Sequence, residues 1–269
     1  MITAAATQSG FSQEAFDAFL ASRDEPGWLT DLRFKAWEVF QELPLPGAPL
    51  EEWRRTDLRL FRLERFALPG PPPLAAAIPQ PLLTQGIDLG GQTVALDSRV
   101  IESRLDAELA ERGVLFGSLE SLLPQYQDLI KSRLLARVVD PAQDKFAALH
   151  AAAWSGGTLL YVPRGMVIEK PLHLFSVLSP GAADFGHGLI VLEEGAEATV
   201  LAETGSSDAA AAGLHCGAIE IVVGPHARLR YVNLQNWGAG VWHFAHQKAL
   251  VDRGAQLQWT FGALGSRLA

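Results

Sequence analysis

Four glycines recur along the second half of the chain at intervals of 30, 29 and 30 residues: Gly165, Gly195, Gly224 and Gly254. Each stands between two short runs in which apolar and polar residues alternate, a pattern typical of β-strands with one buried face. A repeat of this length indicates a stack of units, each of which packs only against its neighbours. Glycine suits the bend between two such runs because it adopts positive φ angles without strain.

Aligning the four glycines predicts ladders of equivalent residues from coil to coil. The residues five and three positions before each glycine, and three positions after it, are apolar. One interior ladder is predicted to contain Ile190, Ile219 and Ala249. The predicted fold is therefore mainly β, a parallel β-helix of stacked coils of about 30 residues. The alternative is a β-sandwich, but nothing forces the turns of a sandwich to recur in register.

The chain before the repeats has a different pattern. Helical periodicity predicts a small helical N-terminal domain over residues 1–66. Residues 67–84 contain the run Pro71, Pro72 and Pro73 and are predicted to form an extended linker. A mixed α/β connector is predicted over residues 85–155 and the β-helix over residues 156–269. No capping element follows the last coil in this sequence, so we expect another subunit to cover its open edge, or the chain to self-associate.

Composition and motifs exclude several classes of function. The net charge of −8 argues against binding to nucleic acid, which requires a basic face. No secretory signal opens the chain and no apolar run has the length of a membrane span, so a cytoplasmic protein without a membrane partner is predicted. The single cysteine, Cys216, excludes an internal disulfide and a four-cysteine metal site within one copy. Motifs for a P-loop, a dinucleotide site, a nucleophile elbow and a zinc-protease helix are absent, so no enzymatic activity is predicted.

One set of residues suits metal chemistry. His187, Cys216 and His246 each lie eight positions before a bend glycine, and equal phase would stack them in one ladder about 4.8 Å apart. Imidazole and thiolate are good ligands for zinc or iron, and three of them leave one coordination position open. Side chains alternate between the two faces of a strand, and this alternation predicts that the ladder faces outward. The alternative is that the three are unrelated loop residues, because their position lies outside the clearly phased strands.

Five segments carry recognisable motifs: the run Glu52-Trp53-Arg54-Arg55-Thr56-Asp57-Leu58 and residues 145–150, 155–165, 193–199 and 229–236. Together these segments resemble the SufB/SufD family of iron–sulfur cluster assembly proteins, and in particular its SufD branch. The resemblance covers about residues 50–269. It implies a right-handed β-helix after a helical N-terminal domain. It also implies a non-catalytic scaffold subunit that acts with a SufB-like scaffold and a SufC-like ATPase.

The resemblance has consequences for cofactors and partners. Iron or an iron–sulfur cluster would be handled by the full complex, and no bound cofactor is assigned to this chain. Family members continue past the position that matches Ala269, so this chain is expected to lack the C-terminal part of the family and to form a homodimer in isolation. The alternative function is a solenoid enzyme of the polysaccharide-active or acyltransferase type. Left-handed acyltransferases have a six-residue period, which this chain lacks, and a polysaccharide enzyme needs clustered Asp or Arg on one outward ladder.

Overall fold

A computed structural model describes residues 10–70, 77–135 and 138–268, and Pro71–Pro73 of the predicted linker lie outside these ranges. The α-helices are α1 (Gln13–Ala21), α2 (Gly27–Glu42), α3 (Ala107–Glu111), α4 (Leu119–Leu122), α5 (Gln127–Lys131) and α6 (Lys145–Ala153), with single 3-10 turns at Glu51–Trp53 and Leu63–Arg65. The strands are β1 (Gly91–Leu96), β2 (Arg99–Leu105), β3 (Leu115–Ser118), β4 (Gly156–Val162), β5 (Leu172–Leu178), β6 (Ala183–Asp184), β7 (Gly186–Leu192), β8 (Glu197–Ser206), β9 (Ala212–Val223), β10 (Arg228–Asn236), β11 (Gly240–Val251) and β12 (Gln256–Gly265).

The strands form two sheets. The order is β2-β1-β5-β8-β10-β12 in the first sheet and β3-β4-β7-β9-β11 in the second, with β6 beside β9. From β4 onward, neighbouring strands are parallel, and each coil contributes one long strand to each sheet. The antiparallel strands β2 and β3 close the first coil. The prediction of a mainly β fold, with a parallel solenoid of about four coils after a small helical region, is confirmed.

The half of the solenoid interior next to the bends is aliphatic. Side chains alternate between the two faces of a strand, so every second residue of each strand points inward. The inward residues here pack into one buried cluster that includes Leu160, Val162, Leu172, Ile190, Leu192, Val200, Ile221, Val223, Leu229 and Tyr231. This cluster is the core that the apolar alternation predicts.

The predicted ladders are wrong by two residues in the third coil. The bend residue has a positive φ in each coil, 67° at Gly165, 69° at Gly195, 58° at His226 and 70° at Gly254. The third coil therefore bends at His226, two residues after Gly224. A histidine in this conformation is uncommon, and it carries none of the sequence signal that a bend glycine provides.

The shift changes which residues become neighbours. Ile190 pairs with Ile221, and Ile221 pairs with Ala249, so Ile221 replaces Ile219 in the interior ladder. Ile219 pairs with Gly188 instead and is only half-buried. Because the shift is an even number of residues, both isoleucines still face the interior.

A helical layer covers the outer face of the second sheet. Helix α6 contacts β9 and β11, and α2 packs against α6. The buried Arg33 of α2 donates to the carbonyl of Ala152 at 3.0 Å and pairs with Glu25 at 2.7 Å. Apolar residues of both layers form one core, which includes Phe16, Trp37, Phe146, Leu149, Leu189, Val191, Cys216 and Phe244. Most of the second sheet is thus buried on both faces, although the last residues of β11 are exposed.

Residues 77–84, here called the strap, lie along the outer face of the first sheet. The carboxylate of Glu203 on β8 accepts hydrogen bonds from the backbone N–H groups of Leu82 and Leu83, at 2.7 and 2.9 Å. Pro79 lies next to Gly205, where an added Cβ would be 3.5 Å from Cγ of the proline. This part of the predicted linker is therefore bound to the solenoid.

Ile221→Asp should lower the free energy of unfolding by about 3–5 kcal/mol, because it places a carboxylate among fully buried aliphatic side chains. Ile219→Asp should lower the free energy of unfolding by less than about half of that amount, because Ile219 is half-buried and pairs with a glycine. Chemical denaturation followed by circular dichroism measures both. A loss at Ile219 that equals or exceeds the loss at Ile221 would contradict the observed register.

Candidate functional site

The structure does not place the three predicted metal ligands on one ladder. His187 and His246 each pair with Ala218 on β9, whereas Cys216 pairs with Phe244. The cause is the two-residue shift of the third coil. The three side chains face outward from the solenoid, but the helical layer covers that face, and the prediction of a single stacked row is wrong.

Each of the three side chains has its own partner. The thiol of Cys216 is fully buried and 3.3 Å from the carbonyl oxygen of Phe146, and burial raises its pKa well above the ordinary value. Nε2 of His246 is 2.9 Å from Oδ2 of Asp144, whose other oxygen accepts the N–H groups of Phe146 and Ala147 in the first turn of α6. Burial disfavours the charged form of Asp144, but the bonds from His246 and the backbone outweigh it and keep its pKa below the ordinary value. Within the described residues, no group of three or more His, Cys, Asp or Glu side chains is arranged to hold a metal ion.

His187 belongs to a buried series of polar side-chain contacts between α6 and the second sheet. Nδ1 of His150 is 3.0 Å from the carbonyl oxygen of Cys216, and its Nε2 is 3.0 Å from Nδ1 of His187. Nε2 of His187 is 3.1 Å from Oε2 of Glu220, within ion-pair distance but without the alignment of a directed hydrogen bond. The side chains of His150, His187 and Glu220 are all buried.

The protonation of these buried side chains follows from their hydrogen-bond partners. A carbonyl oxygen only accepts, so His150 carries its proton on Nδ1 and accepts a bond from His187 at Nε2. Burial holds the pKa of His150 well below the ordinary value, in agreement with a neutral ring. Burial also opposes ionisation of Glu220, but His187 and the N–H groups of Leu135 and Val139, at 2.7 and 2.9 Å, bring its pKa below the ordinary value.

The second half of the solenoid interior is polar. Small and polar residues take the inward positions there and enclose a cavity of about 80 Å³, here called the polar chamber. Residues that line the chamber include Thr158, Ser176, Gly188, Thr204, His215, Gly217, Asn233, Gln235, His243 and Gln247. A cavity of this size holds several water-sized groups, provided that polar partners are available.

Two histidines of the chamber have defined hydrogen-bonding roles. Oδ1 of Asp184, which also accepts the N–H of Gly186, is 3.0 Å from Nδ1 of His215. A carboxylate only accepts, so Nδ1 of His215 carries a proton and Nε2 is an acceptor in the neutral ring. The indole N–H of Trp237 donates to Nδ1 of His243 at 3.0 Å, so the proton of the neutral His243 is on Nε2. The two imidazoles stack with centroids 4.8 Å apart and present an acceptor beside a donor.

Gln235 has a buried polar atom without a hydrogen-bond partner among the described residues. Its amide nitrogen donates to the carbonyl of Gly265 at 2.7 Å, but its Oε1 has no hydrogen-bond partner among the described residues. The side chain is only 2% exposed. Asn233 and Gln247, by contrast, bond to each other at 2.8 Å. Because a buried unpartnered oxygen is costly, Gln235 marks the point where an added donor would bind most favourably.

Sequence reasoning missed the chamber, although one signal was present. Asn233 and Gln235 continue the inward alternation of Leu229 and Tyr231 and therefore take interior positions. Polar residues at interior positions of a strand indicate either a polar cavity or a paired network. The proximity of His215 to His243, in contrast, follows only from the pairing of β9 with β11.

Fold and site together define a class of protein, a parallel β-solenoid with a polar chamber inside and a helical layer on one sheet. Two family models match consecutive parts of the chain. Residues 91–174 match the SufBD protein N-terminal region, and residues 175–269 match the SufBD core domain of SUF system FeS cluster assembly. The chain belongs to the SufBD family.

Similar curated proteins come from staphylococci. Proteins named iron–sulfur cluster assembly SufBD family protein from Staphylococcus haemolyticus, Staphylococcus epidermidis and Staphylococcus aureus are each 28% identical to this chain over 272 residues. The alignments cover 97% of this chain and 58% of each relative, so the chain spans less than two thirds of the length of these proteins. Every helix in the described residues is too short or too polar to cross a lipid bilayer.

Gly217→Ala should destabilise the protein by about 1–3 kcal/mol, because the added methyl group would overlap Nε2 of His215 and displace the ring from Asp184. Gly188→Ala is the matched control. Its methyl group would meet Cγ1 of Ile219 at 3.4 Å, an ordinary contact, so stability should be unchanged or slightly higher. Thermal unfolding measures both variants. Equal melting temperatures would show that His215 is not held in place.

Stability should fall on mild acidification because of two buried histidines. Burial holds the pKa of His150 and His243 well below the ordinary value, whereas in the unfolded chain both titrate near about 6.5. Below that pH the unfolded state binds protons that the native state does not. Stability that is present above pH of about 6.5 is therefore lost, by up to about 1.4 kcal/mol per pH unit for each histidine.

Denaturation at pH values of about 7.5 and about 5.5 tests this expectation. The His243→Gln variant should show a shallower pH dependence than the wild type, since it lacks one of the two buried rings. Identical slopes for the two proteins would contradict the assigned role of His243.

Proposed function

We propose that this chain is a SufD-type scaffold subunit of iron–sulfur cluster assembly, and that it acts in the cytoplasm with a SufB-like scaffold and a SufC-like ATPase. The observation that carries the proposal is the end-to-end match of two SufBD models from β1 to the end of the solenoid. The similar staphylococcal proteins carry iron–sulfur cluster assembly in their names. The sequence has no P-loop, so ATP hydrolysis in such a complex would come from another subunit.

Co-purification of this chain with SufB-like and SufC-like subunits from the same source tests the proposal. We expect the wild-type chain to capture both subunits.

Failure of the wild-type chain to bind either subunit would contradict the proposed function.

A further inference from the structure

The strap is held by backbone contacts to one buried carboxylate. We propose that it is a releasable cover, and that the groove beneath it accepts a proline-containing segment of another polypeptide, with a turn like that of the strap, in its place. This inference goes beyond the scaffold function proposed above. It follows from the geometry of Glu203, from the exposure of the strap and from the aromatic lining of the groove.

Glu203 acts as a clamp for two consecutive amides. Its side chain is 2% exposed, and each of its two oxygens accepts one backbone N–H, from Leu82 at 2.7 Å and from Leu83 at 2.9 Å. Both donors belong to the main chain, which every residue except proline carries. Leu82 lies at a bend and Leu83 in a turn, so their consecutive N–H groups can point to the same carboxylate. The clamp therefore recognises the main chain of a turn rather than particular side chains.

The strap supplies the strongest contacts that Glu203 makes. The neighbouring His173 accepts a hydrogen bond from the amide of Gln92 at Nδ1, 3.0 Å away, so its proton lies on Nε2. Nε2 is 3.7 Å from Oε2 of Glu203, too far for a hydrogen bond. The orientation of the Gln92 amide is supported by Arg104, which approaches its Oε1. Without the strap, the carboxylate would keep only a distant imidazole.

Apolar packing holds the strap only weakly. Ile78 is 39% exposed and Leu82 is 47% exposed. A cavity of about 120 Å³ lies between Pro79 and the sheet, and Phe175 and Trp237 are among the residues that line it. A segment with few buried apolar contacts opens at a lower free energy than the core beneath it. The strap therefore opens locally while the solenoid remains folded.

The clamp also determines what can replace the strap. An opened strap leaves a desolvated carboxylate without its two N–H donors, which is unfavourable. A segment of another chain that forms the same turn restores both bonds. The aromatic lining beneath Pro79 suits a proline in that segment, since proline-containing extended peptides bind aromatic grooves. The groove thus fits a peptide that resembles the strap itself.

Hydrogen exchange of the full chain tests the release. In the wild type, the amides of Leu82 and Leu83 should exchange at least about 100-fold faster than the core amides of β5 and β8. Glu203→Ala should accelerate the two strap amides by a further tenfold or more, and Glu203→Gln, which keeps one acceptor oxygen, by less. Glu197→Ala is the control, since Glu197 lies on the same strand but pairs with Arg228. Strap amides that exchange only with global unfolding, or rates unchanged in Glu203→Ala, would overturn the releasable cover.

A labelled peptide with the sequence of residues 77–86 tests the groove. Leu83→Pro removes one of the two strap donors and should let the peptide bind at least about tenfold more tightly than to the wild type. Combining Leu83→Pro with Glu203→Ala should abolish this gain. Absence of binding to Leu83→Pro, or equal binding with and without Glu203, would overturn the groove as a peptide site.

Discussion

Backbone hydrogen bonds between successive parallel strands decide which side chains of this protein become neighbours. The phase of each strand is set at the bend that precedes or follows it, and the third coil bends at His226 rather than at Gly224. A shift by two residues leaves every side chain on its own face, so the interior stays apolar near the bends. It nevertheless exchanges the partners, bringing Ile221 into the interior ladder and separating Cys216 from the two outward histidines.

Buried carboxylates tie the irregular segments to this frame. Each of four carboxylates accepts at least one backbone N–H and faces one histidine, in the pairs Asp144–His246, Asp184–His215, Glu203–His173 and Glu220–His187. The strap, Leu135 and Val139, which supply bonded N–H groups, lie in no strand or helix. A charge buried in this way is tolerated only when such donors surround it. The clamps therefore replace apolar packing where the chain has little of it.

The family-level features could be predicted because they rest on local patterns. Period-two alternation around Gly165, Gly195 and Gly254 predicted the solenoid, and the bends at these positions are confirmed. The site could not be predicted in the same way, because each of its contacts joins distant parts of the chain. His150 meets His187 across the interface between helix and sheet, and Asp184 meets His215 from one coil to the next.

By itself, the sequence determined the architecture, since alternation and bend residues act within a few positions of the chain. It also determined which residues face inward, because strand parity is a local property. Only the tertiary structure decided the register between coils, the polar chamber and the binding of the strap to Glu203. The physical reason is that a ladder depends on the length of every coil, and one histidine with a positive φ moves the bend without any change in the local apolar pattern.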